Sequence, residues 1–284
     1  MSSSTAKTLN LGGRLLDLSI PKVIGILNVT PDSFYDGKRF ETLDAAIAQA
    51  EKMVAEGVDV IDVGGYSSRP GAEHISEEDE WKRVIPVVKE IHTRFPNCPI
   101  SIDTFRVSVA EKAVDAGALL VNDISGGDLD ANMFPWIAAT KIPYVLMHMR
   151  GTPQTMTQQV NYQHLVKELI DELHPKVHRL TQLGVKDLII DPGFGFAKTA
   201  EQNFELLAQL EHMQIFERPV LAGLSRKSMV WRTLQITPDE ALNGTTALNM
   251  VALQKGASIL RVHDVAAAKQ CIQLHLKLLA AQQR

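Results

Sequence analysis

What most limits the fold of this chain is a recurring pattern: eight short apolar runs, each stopping at a cluster of polar residues and glycines. The first covers Ile24 to Leu27 and gives way to Asn28, Pro31, Asp32, Ser33 and Phe34. Its shortness, and its limits at Pro21 and Asn28, suit a parallel strand buried on both faces better than a helix. The other runs behave alike. Val58 to Val63 leads into Gly64 to Gly71, Ile100 to Ile102 into Asp103 and Arg106, and Leu119 to Val121 into Asn122 and Asp123. Pro143 to Met147 meets His148 and Arg150, Leu188 to Ile190 meets Asp191, Val220 to Ala222 meets Gly223 to Ser228, and Ile259 with Leu260 leads to Arg261, His263 and Asp264.

Between these runs lie helical patterns. From Thr42, a capping residue type, to Glu56, the residues Leu43, Ala46, Ile47, Ala50, Met53 and Val54 form one apolar stripe that Gly57 ends. Comparable stretches run from Glu78 to Arg94, Val107 to Ala116, Ala131 to Ala139, Tyr162 to Leu183, Glu201 to His212, Asp239 to Lys255 and Val265 to Ala281. Pro175 lies inside the fifth and is expected to kink or interrupt it near His174. Eight strands alternating with helices in 284 residues, with 45% apolar content, predict one α/β domain over residues 1–284: a (β/α)8 TIM barrel. Two short runs, Leu9 to Leu11 and Leu15 to Leu18 around Gly12 and Gly13, predict an N-terminal β-hairpin suited to plugging the barrel bottom. Residues 1–8 are expected to be disordered.

A formal charge of -4 gives no electrostatic footprint for nucleic acid or an acidic membrane, so any anion-binding groups are local. Cys98 and Cys271 are too few for a disulfide framework or a cysteine metal site, which points to a reducing cytoplasm. The N-terminal segment has no apolar signal core, and no stretch is long enough to span a bilayer.

In such a barrel the C-terminal strand ends converge on one mouth. Asp103, Asn122 and Asp191 each sit where a strand stops and can face a ligand with a fixed pattern of donors and acceptors; a carboxylate such as Asp191 suits an amidine-like edge. Any one of them reads equally well as a helix cap or loop brace, but three at one mouth favour a ligand. Arg69, Lys227, Arg261 and His263 form a cationic set for an anion, a phosphate or diphosphate. Gly223 to Ser228 adds hydroxyls and backbone N–H groups able to open a short helix, without the spacing of a P-loop. Phe34 and Phe196 lie in Gly- and Pro-bearing loops, where stacking is favoured over core packing.

These stretches resemble one family, the dihydropteroate synthases of the folate pathway, which sulfonamides inhibit. The resemblance rests on Gly25 to Phe34, Ser68 to Gly71, Ser101 to Thr104, Asn122 to Gly126, Leu146 to Met149, Asp191 to Phe196, Ser225 to Ser228 and Arg261 to His263, in order over nearly the whole chain. It implies a cytoplasmic homodimeric barrel transferase that condenses 6-hydroxymethyl-7,8-dihydropterin diphosphate with p-aminobenzoate to give 7,8-dihydropteroate and diphosphate. It further implies pterin contacts from Asp103, Asn122, Asp191 and Lys227, with Met147, Phe196 and Arg261 sandwiching the ring and Gly223 leaving room at its edge. Asn28 with Mg²⁺, Arg261 and His263 would hold diphosphate; Phe34, Ser68, Arg69, Pro70, Lys227 and Ser228 would form the p-aminobenzoate pocket. The substitution is expected to be dissociative, without a covalent enzyme intermediate. The loops from Thr30 to Arg39 and from Gly64 to Glu77 are expected to close over the second substrate once diphosphate is bound.

The chain departs from the family pattern at four positions in these loops. Tyr66 stands for a glutamate, Ser68 for a threonine, Tyr35 for a serine and Lys38 for a glycine. All four bear on the second substrate and on sulfonamides, and none on the pterin pocket. Two other readings share that pocket: a non-catalytic pterin-binding paralogue and a pterin-dependent methyltransferase, the latter having no need of Ser225 to Ser228 or Phe34.

Overall fold

The protein is described from a computed structural model, covering residues 8–29, 39–68 and 73–282. Phe34, Tyr35, Lys38, Arg69 and Pro70 therefore lie outside the described residues. Strands β1 (Thr8–Leu11) and β2 (Arg14–Asp17) form an antiparallel hairpin. Its turn, Gly12 and Gly13, has φ of 61° and 90°, the left-handed geometry that a two-residue hairpin needs and that glycine supplies at least cost. Thr8 opens β1 and so falls outside the N-terminal disorder expected for it.

The barrel follows as β3 (Lys22–Asn28), α1 (Arg39–Ala55), β4 (Val60–Gly64), α2 (Glu77–Arg94), β5 (Ile100–Asp103), α3 (Val107–Asp115), β6 (Leu120–Asp123), α4 (Met133–Thr140) and β7 (Tyr144–Met147). Then come α5 (Leu165–Gln182), β8 (Leu188–Asp191), α6 (Ala200–Ala208), β9 (Leu221–Ala222), α7 (Ser228–Leu234), α8 (Leu242–Gln254), β10 (Ile259–Val262) and α9 (Val265–Gln282). The sheet order β8-β7-β6-β5-β4-β3-β10-β9 is parallel throughout. A parallel bridge between Ile190 and Val220 joins its two edges, so the eight strands close into the expected barrel.

Two sequence expectations about helices change. Helix α1 begins three residues before Thr42, which is therefore not its cap. Helix α5 runs unbroken through Pro175. Pro175 is exposed, on a face of the helix where a carbonyl deprived of its helical donor costs least. Pro86 sits inside α2 in the same way, on a helix capped by Ser76 accepting from the Asp79 amide.

Strand periodicity divides the core. Outward residues such as Ile61, Val63, Ile102, Val121, Leu146, Ile190 and Val262 pack on the helices. Inward residues Ile24, Val60, Leu120, Val145, Ile189, Leu221 and Ile259 form a second cluster with Leu9, Leu11 and Leu18, so the hairpin plugs the bottom of the barrel as its pattern predicts.

Candidate active site

Two residues beyond six members of that bottom layer, all but Ile24, the same inward face changes character. Val60 is followed by Asp62, Leu120 by Asn122, Val145 by Met147, Ile189 by Asp191, Leu221 by Gly223 and Ile259 by Arg261. A period of two makes this a polar floor set directly on an apolar plug. Register adds a row across four strands: Asn28 opposes Gly64, Gly64 opposes Asp103, and Asp103 opposes Asn122. Met147 opposes Asp191 on the next pair of strands.

Arg261 is the hub. Its Nε donates to Asp62 Oδ2 at 2.7 Å and an Nη to Asp103 Oδ2 at 2.6 Å, joining β10 to β4 and β5. Asn122 Nδ2 donates to the same Asp62 oxygen at 2.8 Å. Because a carboxylate only accepts, this bond fixes the Asn122 amide with its Oδ1 turned the other way. Asp62 Oδ1 and Asn122 Oδ1 are buried and have no partner among the described residues. A buried, unpaired acceptor is costly, and two of them in one cavity call for a ligand rich in N–H donors.

Sequence reasoning did not single out Asp62. Its signal was an acid on the inward face of an apolar strand, and at 1% exposure it is a less accessible carboxylate than Asp191 at 6%. A buried carboxylate two residues before a strand end is costly without a partner. The identity of that partner, Arg261, 199 residues away, is set by barrel closure alone.

The titration states follow from this packing. Burial pushes Asp103 up to about 7, with Arg261 pulling it down and Asp62 pushing it further up. Burial also raises Asp191, opposed first by the Gly193 N–H, which donates to its Oδ1 at 2.7 Å, and then by Lys227. Burial and the neighbouring Arg261 lower Lys227 to about 8, so its ammonium persists at neutral pH. Against its burial, the carboxylates of Asp62 and Asp103 hold Arg261 above its ordinary range.

His263 corrects an expectation. Burial and Arg261 lower it to about 4, so it is a neutral ring near pH 7 and not one of the cations. Ser225 Oγ accepts from the His263 amide at 3.1 Å and lies 2.9 Å from Nδ1. Either atom can supply the proton of the Ser225–Nδ1 bond, and in both cases that bond and the amide contact fix the orientation of the ring.

Phe196, expected to stack and not to pack, is buried in an apolar cluster with Phe105, Ile124, Met147, Met149 and Met156, against which Tyr66 packs. One face of its ring carries Lys227, whose Nζ is 4.3 Å from the centroid. Tyr66 is built into this wall. Its ring meets Phe105 edge-on at 5.1 Å, and its hydroxyl sits 3.2 Å from His74 Nδ1 and accepts from Gln154 Nε2 at 2.7 Å. Ser68 is half-buried, and Ser228 opens α7 directly after Lys227.

Comparison with known proteins places this geometry. The family model described as "Pterin binding enzyme" matches residues 24–263. Dihydropteroate synthase from Haemophilus influenzae is 41% identical over 263 residues, 92% of this chain and 95% of that relative. The chain belongs to the dihydropteroate synthase family. Among solved structures, the Yersinia pestis dihydropteroate synthase in a sulfonamide drug complex is 39% identical with a TM-score of 0.90, covering 96% of this chain and 99% of that one. The Xanthomonas albilineans dihydropteroate synthase with 4-aminobenzoic acid is 38% identical with the same TM-score, covering 97% and 99%.

For a member of this family, Gly223 gives a sharp test. A Cβ built on it meets only Leu221 Cδ2, at 4.0 Å, and its φ lies outside the left-handed region. Alanine therefore fits the protein, and Gly223→Ala should change stability by no more than about 0.5 kcal/mol. If the open space belongs to a ring ligand, pterin affinity should fall at least roughly ten-fold, since an intruding methyl costs about 1–3 kcal/mol. Calorimetric titration beside thermal melting reads both; unchanged affinity removes Gly223 from the pocket.

Proposed function

We infer that the protein is a dihydropteroate synthase, a transferase of the folate pathway that condenses 6-hydroxymethyl-7,8-dihydropterin diphosphate with p-aminobenzoate. The observation that carries this reading is the polar floor itself: orphaned acceptors on Asp62 and Asn122, carboxylates at Asp103 and Asp191, and donors at Lys227 and Arg261. A pterin presents N–H and amino donors on one edge and acceptors on another, which is the complement of that set. Asp103, Asn122, Asp191 and Lys227 bind the ring edges in this reading, Met147, Phe196 and Arg261 cover its faces, and Gly223 leaves space at its rim. Asn28, Arg261 and His263 hold the diphosphate. Ser68, Lys227 and Ser228, with Phe34, Arg69 and Pro70, receive the amine substrate.

In the reaction the C–O bond to diphosphate breaks, the amine nitrogen bonds the freed methylene, and the nitrogen sheds one proton. Negative charge grows on the leaving oxygen beside Arg261 and the His263 ring, and fixed donors are most effective where charge develops. Positive charge grows on the ring methylene, which the Asp103 and Asp191 carboxylates favour. An aromatic amine is neutral at pH 7, so no strong general base is required.

Among the described residues no three His, Cys, Asp or Glu come together to hold a metal. The Asn28 side chain at the end of β3 offers one amide oxygen, which suits Mg²⁺, a hard ion that takes few protein oxygens together with water and phosphate. Bound there, Mg²⁺ would neutralise the leaving diphosphate. Cytoplasmic residence fits two free cysteines and the absence of a membrane-crossing helix among the described residues. A homodimer is the assembly we propose, supported by exposed Leu274 and Leu278 one turn apart on α9.

The deciding experiment measures dihydropteroate and diphosphate release from the two substrates, with and without Mg²⁺. Product formation that depends on Mg²⁺ is expected. Tight pterin binding without product would instead identify a non-catalytic pterin-binding protein. Equal p-aminobenzoate affinity with and without pterin and diphosphate would rule out ordered binding.

Asp103 adds a pH signature. Its free-site value of about 7 means that a ligand needing the carboxylate binds fully above that pH and loses affinity as pH falls through it. The ring alcohol, which carries no titrating phosphate, should bind roughly ten-fold more weakly per pH unit below that point. Asp103→Asn should flatten the slope. A wild-type affinity independent of pH from 5.5 to 8 would exclude Asp103 as the acceptor.

A further inference from the structure

The turn from Asp191 to Lys198 carries both Asp191 and the Phe196 ring, and its backbone is strained. Gly193, Gly195 and Ala197 have φ of 74°, 79° and 49°, all left-handed, and Ala197 adopts this without the freedom of glycine. Such a path persists only where its surroundings over-determine it. Here they do. The Gly195 amide donates to Asn203 Oδ1 at 2.7 Å, and Tyr162 Oη donates to the Ala197 carbonyl at 3.0 Å. A Cβ on Gly193 would lie 2.0 Å from the His148 carbonyl oxygen, so the turn is pressed against the end of β7.

At the centre is Lys198, a buried side chain that the chemistry above does not use. Its Nζ lies 3.0 Å from the Gly193 carbonyl, 3.0 Å from the Phe196 carbonyl and 3.1 Å from His148 Nδ1. Three acceptors around one nitrogen match the three N–H of an ammonium. His148 accepts at Nδ1, so its proton is on Nε2 and faces Glu172 Oε2 at 3.0 Å. Glu172 is in turn held by Arg150, which lies over the Tyr162 ring at 3.8 Å. Burial pushes Lys198 down to about 7. A charge so poorly favoured is a weak source of stability, and its retention calls for another role.

We propose that Lys198 is a positioning residue: its ammonium pins the Gly193 and Phe196 carbonyls and, through His148 and Glu172, ties to α5 the turn that presents Asp191 and the Phe196 ring to the ligand. The consequence reaches Lys227, whose side chain packs on Gly195 and whose Nζ sits over Phe196. A pre-set plate loses less entropy when a flat ring docks on it.

This inference rests on the pterin reading of the same site. Calorimetry on the full chain compares two probes, 6-hydroxymethylpterin, which meets the turn, and inorganic diphosphate, which does not. Wild-type protein that fails to bind the pterin defeats the pterin reading. With wild-type binding in hand, Lys198→Met should weaken the pterin ten-fold or more and leave diphosphate affinity within about two-fold. Equal pterin affinity, or equal loss for both probes, overturns the positioning role. A second pair of variants keeps the question open to test should Lys198→Met not fold. His148→Gln, which can accept from Lys198 and donate to Glu172, should keep pterin affinity within about three-fold, whereas His148→Leu should reproduce the loss. Indistinguishable behaviour of that pair also overturns it.

Discussion

Replacing Arg261 by methionine should destabilise the protein by about 3–5 kcal/mol, which for a chain of this size is a drop in melting temperature on the order of 10 °C. The cause is not a missing contact but two carboxylates left without their cation. Asp62 is 1% exposed, and both it and Asp103 receive Arg261 at 2.6–2.7 Å. Arg261 is what pulls Asp103 down against its burial, so losing the guanidinium raises the folded-state pKa of Asp103 further. A folded pKa above the unfolded one means stability is present at low pH and lost as pH rises through it. The deficit of Arg261→Met against wild type should therefore be larger at pH 8 than at pH 5.5. Melting curves at the two pH values decide it. A deficit that does not change with pH would show that the ion pairs with Asp62 and Asp103 are not its source. Pterin affinity should fall as well, since the same side chain covers the ring.

Asp191→Asn is expected to do the reverse to stability and more harm to binding. Burial already raises the pKa of Asp191, so its charge costs folding energy above that pKa, and a neutral amide of the same shape should melt at the same temperature or higher. Binding is different. A carboxylate accepts on both oxygens, whereas an asparagine turns an N–H₂ towards ligand donors and loses charge-assisted bonds worth about 1.5–3 kcal/mol each. Pterin affinity should fall by roughly 100-fold or more. Diphosphate affinity should hold. Pterin affinity within about two-fold of wild type would remove Asp191 from the pocket.

The two variants show how fold and site share residues. Asp62, Asn122 and Arg261 brace one another across β4, β6 and β10 while leaving acceptor atoms unpaired, so the braces are themselves the binding surface. Lys198 and His148 stand one layer behind and hold the turn without lining its face. Tyr66, one of the four departures from the family pattern, is fixed between Phe105, His74 and Gln154, and Arg106 lies 5.5 Å from its ring. It is a built part of the wall and not a loose loop residue.

The sequence by itself determined the barrel and the level of the site within it. Short apolar runs specify buried strands, and the polar residues at which they stop, Asp103, Asn122 and Asp191 among them, marked the mouth of the barrel, whereas the inward layer that also holds Asp62 emerged only with the strand register. The Gly12–Gly13 hairpin was equally local, because its turn geometry is set by two adjacent residues. Tertiary structure alone decided the partners. Asp62 meets Arg261 and Asp103 meets Arg261 across 199 and 158 residues, pairs that exist only because β10 closes against β3. The neutral state of His263 and the burial of Lys198 also came from the fold. Charge state depends on the dielectric and the neighbours that a closed barrel assembles, and no local pattern of residues encodes either.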